Sequence, residues 1–354
     1  MPTSVDSKSL PPILPSQVDD GSEADQRVKS GGATHASPHG PLGGLTRYKA
    51  NLAGLPAEIH QAIAGQLPMA DLSRLSRTAR TLHERLGGEV RAFASLRKEI
   101  DDTSDLAGLH RLTSRVAAEV VGEGKPAIRQ SHAGERQPLF FVIGERMYVA
   151  LKHIVDMPPE QRAGMPPEQL AAQFGQYIAG FSQMRPPELA EAGVYYAAAS
   201  IVNALPRGAQ QAVFDRALAA ARAFPPEHRS RILIALTEAT FRSPDPVSAD
   251  SLRDARTNTI TLANSTDGMA PAQLKPIVER LANHSKLFLM ASEGGDWQSP
   301  FNAIVDASSR LAPDDRQAVG TLLNDSLDKI ESNIDPAGID AARQRLAMLT
   351  PPAA

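Results

Sequence analysis

From Leu55 onward apolar residues recur every three or four positions and hardly ever alternate, so the pattern predicts helices and no sheet. Leu55, Ile59, Ile63 and Leu67 stand four apart and fall along one helix face. Pro56 sits near the first turn, where its missing N–H is no loss. Pro68 stops that helix. Asp71 is the expected N-cap of a second, in which Leu72, Leu75, Ala79 and Leu82 share a face and which Gly87-Gly88 should end. Val90, Phe93, Leu96 and Ile100 fit a third. A fourth follows up to Val121, with Leu106, Leu109, Leu112, Val116 and Val120 on one side and Thr103 or Ser104 as its cap.

Residues 122–137 read as a flexible insert, after which Pro138 should restart order. Proline then becomes periodic: Pro138 and Pro158, and then Pro166, Pro186, Pro206 and Pro225, recur about every 20 residues. The last four each precede an apolar-periodic segment, three of them opening with Pro-Pro-Glu and one with Pro-Arg-Gly. That is a helix-start signature, with Glu favourable at the positive helix end. A ~15-residue helix is about 22 Å long, and two per ~39 residues fit an αα-hairpin of the HEAT or armadillo size class. Pro271, Pro300, Pro313 and Pro336 continue the pattern more loosely. Leu139-Phe140-Phe141-Val142-Ile143 has β-type composition, yet Leu139, Ile143, Met147, Leu151 and Ile154 keep helical spacing, so it reads as helix. The expected fold is all-α, with either an array of αα-hairpins or a compact irregular bundle over 138–350.

Residues 1–44 break the pattern, being Pro, Ser, Gly, Asp and His with scarcely any apolar periodicity. Such a segment cannot bury enough surface to offset its ordering entropy and is expected to be a disordered tail. It lacks a basic cluster followed by an apolar run, so it does not read as a secretory signal. A solvated tail and an address for export through a system that threads unfolded chains both fit.

Composition then excludes several classes of function. The 354 residues contain no Cys, which removes thiol catalysis, disulfides and thiolate metal sites. Lys plus Arg is 37 against 40 Asp plus Glu, with no basic stripe, so nucleic acid is not an expected partner. No apolar run is long enough for a membrane helix, and a membrane is not an expected partner either. Aromatics are only 5%, so the core must rest on Leu, Ile, Val and Ala.

Residues 45–100 carry a resemblance. Leu55-Pro56-x-Glu58-Ile59-x-x-x-Ile63-x-x-x-Leu67, then Asp71-Leu72-x-x-Leu75-Ser76-Arg77-Thr78-x-Arg80-x-Leu82, resembles an F-box, the Skp1-docking module of Skp1–cullin–F-box ubiquitin ligases. The opening tetrapeptide is a common helix start; the joint spacing of the two halves is more specific. The sequence departs from the motif in two places. Met69-Ala70 stands where a Pro usually precedes the Asp, and Leu82 replaces an aromatic. The resemblance implies Skp1 binding through Leu55, Pro56, Glu58, Ile59, Ile63, Leu67, Asp71, Leu72 and Leu75. It covers about a seventh of the chain, and an unrelated helical hairpin is the other reading of it. An Ala-, Arg- and Pro-rich composition is typical of GC-rich bacterial genes, whereas Skp1–cullin ligases are eukaryotic. The combination resembles the F-box effectors that plant-pathogenic bacteria inject through type III secretion systems into host cells, without the leucine-rich repeats some of them carry.

No catalytic residues, cofactor or metal site are expected. G-x-S-x-G, H-E-x-x-H and a Walker-type loop are all missing. His35, His39, His60, His110, His132, His153, His228 and His284 are scattered. Asp101-Asp102 and Asp314-Asp315 read as capping or solvated pairs at helix starts or in loops, Trp297 as a plug over the core, and Tyr195-Tyr196 as straddling a helix face. The leading expectation is a non-catalytic adaptor, docking host Skp1 and through it cullin while 138–350 recruits a host protein. An injected enzyme anchored by the F-box, and a helical scaffold with a coincidental motif, remain the alternatives; residues 101–137 would link the two parts.

Removing Pro2 to Gly44 is expected to leave the melting temperature unchanged while abolishing export from a secretion-competent strain. A large loss of the melting transition in calorimetry would contradict it.

Overall fold

The computed structural model describes residues 55–64, 66–121, 133–241, 249–290, 296–329 and 335–349. The expected tail 1–44 and most of the insert 122–137 lie outside them. Every regular element among the described residues is an α-helix, and the Leu139–Ile143 segment is helical as its spacing requires. The elements are α1 (Ala57–Ala64), α2 (Met69–Ser76), α3 (Arg80–Asp102), α4 (Leu106–Val121), α5 (Ala133–Val155), α6 (Pro159–Ala163), α7 (Pro167–Phe181), α8 (Pro187–Ala204), α9 (Arg207–Ala223) and α10 (Pro226–Phe241). They continue with α11 (Ala249–Asn264), α12 (Pro271–Met290), α13 (Gln298–Ser308), α14 (Pro313–Leu327) and α15 (Pro336–Leu349).

The proline rule sets most starts. Pro159, Pro167, Pro187, Pro226, Pro271, Pro313 and Pro336 are first residues of helices, and the residue before several of them is held extended, as a following Pro demands. Local details differ from expectation in six places. The second helix ends at Ser76, where the Thr78 hydroxyl donates to the Leu75 carbonyl (2.8 Å) and Ala79 is extended. Gly87-Gly88 therefore ends nothing. It lies inside the 23-residue α3, whose apolar stripe is buried on both sides of the glycines and carries the helix through them. Pro68, not Asp71, holds the N-cap position of α2. Asp71 falls in the first turn, facing the positive helix end and accepting from Arg74 at 3.1 Å.

Thr103 closes α3 by donating to the Glu99 carbonyl (2.7 Å), and Asp105 caps α4 by accepting the Gly108 N–H (2.7 Å). Pro138 sits inside α5, which begins five residues earlier. The backbone bond it cannot make is offset by the burial of Leu139, Phe140 and Ile143 just beyond it. Asp101 and Asp102 are the last residues of α3, not a helix start.

Two hydrophobic clusters result. Met69, Leu72, Leu82 and Leu86 form a small one between α2 and the first half of α3, with Leu75, Ala79, Val90 and Phe93 against it. Leu96 and Ile100, in the second half of α3, already belong to the large cluster that runs to Leu349, and Phe93 touches both. The boundary expected at residue 100 therefore falls inside a continuous helix.

Beyond α3 the helices pack by two rules. From α7 to α15 each helix packs against the next in sequence, as α4 does against α5, and a second set of contacts joins helices further apart into rows. One row is α5, α8, α10, α12 and α14; the other holds α4, α7 and α9, then α11, α13 and α15. Polar contacts also cross between helices, at separations of about 40 residues in sequence. The Arg162 guanidinium donates to the Asn203 carbonyl 41 residues on (2.8 Å), Arg216 to Ala171 across 45 (3.2 Å), Arg222 to Ser265 across 43 (2.8 Å) and Arg310 to Thr266 across 44 (3.0 Å). Arg280 pairs with Glu238 across 42 (2.7 Å) and Arg345 with Asp306 across 39 (2.6 Å).

Small residues bring the rows together. In α8 the buried set is Leu189, Ala190, Val194, Ala197, Ala198, Ile201 and Ala204, and a Cβ at Gly193 would stand 1.9 Å from the Phe181 ring. Nothing lies within 4 Å of a Cβ at Gly88, in the middle of α3. Gly193→Ala is expected to destabilise the chain by about 1–3 kcal/mol through overpacking. Gly88→Ala should stabilise it by up to about 1 kcal/mol through helix propensity. Paired denaturant titrations check both signs.

Candidate docking surface

The apolar stripe Leu55–Ile59–Ile63–Leu67 is only partly covered. Ile59 is 45% exposed, Leu55, Ile63 and Leu67 are only half-buried, and Pro56 is exposed. Another residue of α1 turns inward. His60 is buried, and the Arg85 guanidinium of α3 donates to its Nδ1 at 2.8 Å and to the Leu55 carbonyl at 3.0 Å. Arg can only donate, so Nδ1 is the acceptor and the ring carries its proton on Nε2. A polar clamp thus helps hold α1 on α3 and leaves the aliphatic side partly uncovered. Sequence reasoning missed this clamp. The only local signal was that His60 and Arg85 both fall beside apolar stripes, which does not pair them.

The other expected docking residues divide by burial. Leu72 is fully buried between α2 and α3, so it supports the surface from beneath; Leu75 is half-buried at its edge. Asp71 is half-buried, and Glu58 lies in the first turn of α1. Arg74, Arg77 and Arg80 are exposed. The Arg74–Asp71 (3.1 Å) and Arg80–Glu84 (2.9 Å) ion pairs lie in solvent and add little.

Residues singled out elsewhere have structural surroundings. Trp297 is buried at the start of α13, edge-on to Phe301 with centroids 6.0 Å apart, as a plug over the core. Beside it the Ser299 hydroxyl and N–H hold the Asp296 carboxyl below its usual range, and the Gln298 amide and Gly338 N–H do the same for Asp335. Lys275 donates to Asp315 in the first turn of α14 (2.7 Å). Tyr196 packs on Tyr148 (4.7 Å), and burial pushes its phenol up, so it stays a neutral donor. Arg231 lies 4.8 Å over the Tyr195 ring.

His284 stacks on Phe241 at 4.5 Å. The His228 Nδ1 lies 2.8 Å from the carboxylate of the largely buried Glu191, binding α10 to α8. Among the described residues no cluster of His, Asp and Glu could hold a metal ion, and no helix is long and apolar enough to cross a membrane.

No family model, curated protein or solved structure matches this chain.

Arg85→Ala removes both donors of the clamp and should cost about 1–3 kcal/mol locally. Amide hydrogen exchange in α1 is expected to speed up at least tenfold while α7 to α15 keep their protection. Unchanged exchange in α1 would show that apolar contacts alone hold it.

Proposed function

We propose that this chain is a non-catalytic adaptor whose α1–α3 module is an F-box that docks a host Skp1-like protein, and through it a cullin ubiquitin ligase. The helical array recruits a host protein for ubiquitination. The supporting observation is the partly uncovered stripe Leu55–Ile59–Ile63–Leu67, which is apolar and is presented by a helix anchored beside it through the buried His60 and its partner Arg85. A surface helix ordinarily turns its apolar stripe inward. Here the stripe stays partly uncovered, with Ile59 exposed, as suits a docking helix. Delivery into a host cell by a type III system belongs to the same reading, and its support is the Ser- and Pro-rich stretch before Leu45 together with the composition.

The array suits recruitment because helices packed each against the next, with polar contacts bridging about 40 residues, build an extended surface from repeated units of the αα-hairpin kind. The adaptor reading asks for no chemistry from this surface. An enzyme anchored by the same module would retain its activity when docking is abolished, which separates the two readings.

Calorimetry with a plant Skp1 homologue tests docking. Ile59→Asp is expected to weaken binding at least 30-fold, equivalent to about 2 kcal/mol, with an unchanged melting temperature because the side chain is already exposed. Leu55→Ala with Pro56→Ala should do the same. Single Ala changes at Arg74, Arg77 or Arg80 should shift affinity only a few-fold, as rim charges do. Absence of binding by the unaltered chain would return α1–α3 to a helical module with a coincidental motif.

A further inference from the structure

A cavity of about 50 Å³ opens between the last turns of α8 and α10 and the first turns of α9 and α11. Its floor is apolar, formed by Ile201, Phe214 and Ala255. One wall is an amide pair. Gln211 Nε2 donates to Asn258 Oδ1 (3.0 Å) and Asn258 Nδ2 donates back to Gln211 Oε1 (3.2 Å). Gln211 also donates to Asp215 (2.9 Å), which spends its second N–H. Asn258 is only 6% exposed, and its remaining N–H has no partner among the described residues. On the rim stand Arg207 and Asp254, opposite charges that pair neither with each other nor with any described residue. Arg162, Arg216, Arg222 and Arg310 are each tied to a partner about 40 residues away; Arg207 is not.

The volume limits the occupant. A cavity of ~150 Å³ takes a benzene-sized ligand, so this one takes a few waters or the tip of a small aliphatic side chain. In an extended peptide, side chains two residues apart point the same way. A chain crossing the cavity with an aliphatic residue in it would therefore set the residues two before and two after against the rim. We propose that this cavity docks a short extended peptide bearing a small aliphatic residue, with a carboxylate two positions to one side meeting Arg207 and a cation two positions to the other meeting Asp254. A peptide carbonyl takes the spare Asn258 N–H. The proposal deepens the adaptor reading and rests on it: the peptide belongs to the captured protein.

Selection of a displayed heptapeptide library on the full-length chain tests it, using the unaltered protein, Arg207→Glu and Asp254→Lys. Both variants exchange exposed side chains, and unchanged melting temperatures verify their folding. Peptides with acid–x–aliphatic–x–base spacing, in one of the two orders, are expected to enrich about tenfold or more on the unaltered chain. Arg207→Glu should lose the preference for the acid and select a second base; Asp254→Lys should lose the preference for the base. Identical selections on all three proteins, or no enrichment on the unaltered one, overturn the proposal. Skp1 binding measured on the same preparations separates the failures. Skp1 binding without the predicted selection removes this site alone, whereas selection without Skp1 binding removes the ligase adaptor and leaves the cavity a peptide site.

Discussion

Helices in this chain are apolar on more than one side, and few large side chains are available to cover them. With aromatics at 5%, burial is assembled from Leu, Val, Ile and Ala, so backbones must come close and each helix must be flanked on both sides. The extreme case is α8. Its buried alanines and Gly193 leave room for Phe181, and it packs against α5, α7, α9 and α10. A single pair of such helices cannot hide its own apolar surface. Packing helix after helix against its neighbours is the solution, and the cluster from Leu96 to Leu349 is its result.

Much of this was legible because proline and spacing are local signals. A Pro at a first helical position constrains its own φ and the residue before it, so Pro167, Pro187, Pro226, Pro271, Pro313 and Pro336 mark starts without knowledge of what packs where. Helix ends were less legible. Gly87-Gly88 carries the composition of a stop, but burial of Leu82, Leu86, Leu96 and Ile100 on either side outweighs the propensity of two residues. Cap choice turned on single hydrogen bonds: Asp105 was adjacent to the two residues that local preference favoured. The aliphatic stripe of α1 was legible, but its partial exposure was not, because nothing in the spacing of Leu55, Ile59 and Ile63 says which side α3 occupies. The buried His60 and its partner Arg85 decide that, 25 residues apart.

The arginines illustrate the same limit differently. In the sequence they look like a compositional habit. In the fold, Arg162, Arg216, Arg222 and Arg310 each reach a backbone carbonyl or hydroxyl about 40 residues away, satisfying acceptors that packing alone would strand. Guanidinium suits the task, since its fixed fork of donors bridges two elements; Arg310 reaches the Asp267 carboxylate as well. The separations of 41 to 45 residues are a periodicity written in side-chain partners, which no scan of residue type alone reveals.

The helix that links the two clusters has a weak point. Gly87 and Gly88 lie between Leu86, in the small cluster, and Val90 and Phe93, which pack against it from beyond the glycines. Gly88 has open space around it, so no close approach there calls for a glycine. Each glycine costs a helix roughly 1 kcal/mol relative to alanine, and the two together concentrate that deficit within a single turn. Bending or fraying of α3 would therefore begin at this turn. Any bend there works against the contacts of Val90 and Phe93 with the small cluster, so the burial of those two side chains sets how far the helix can yield.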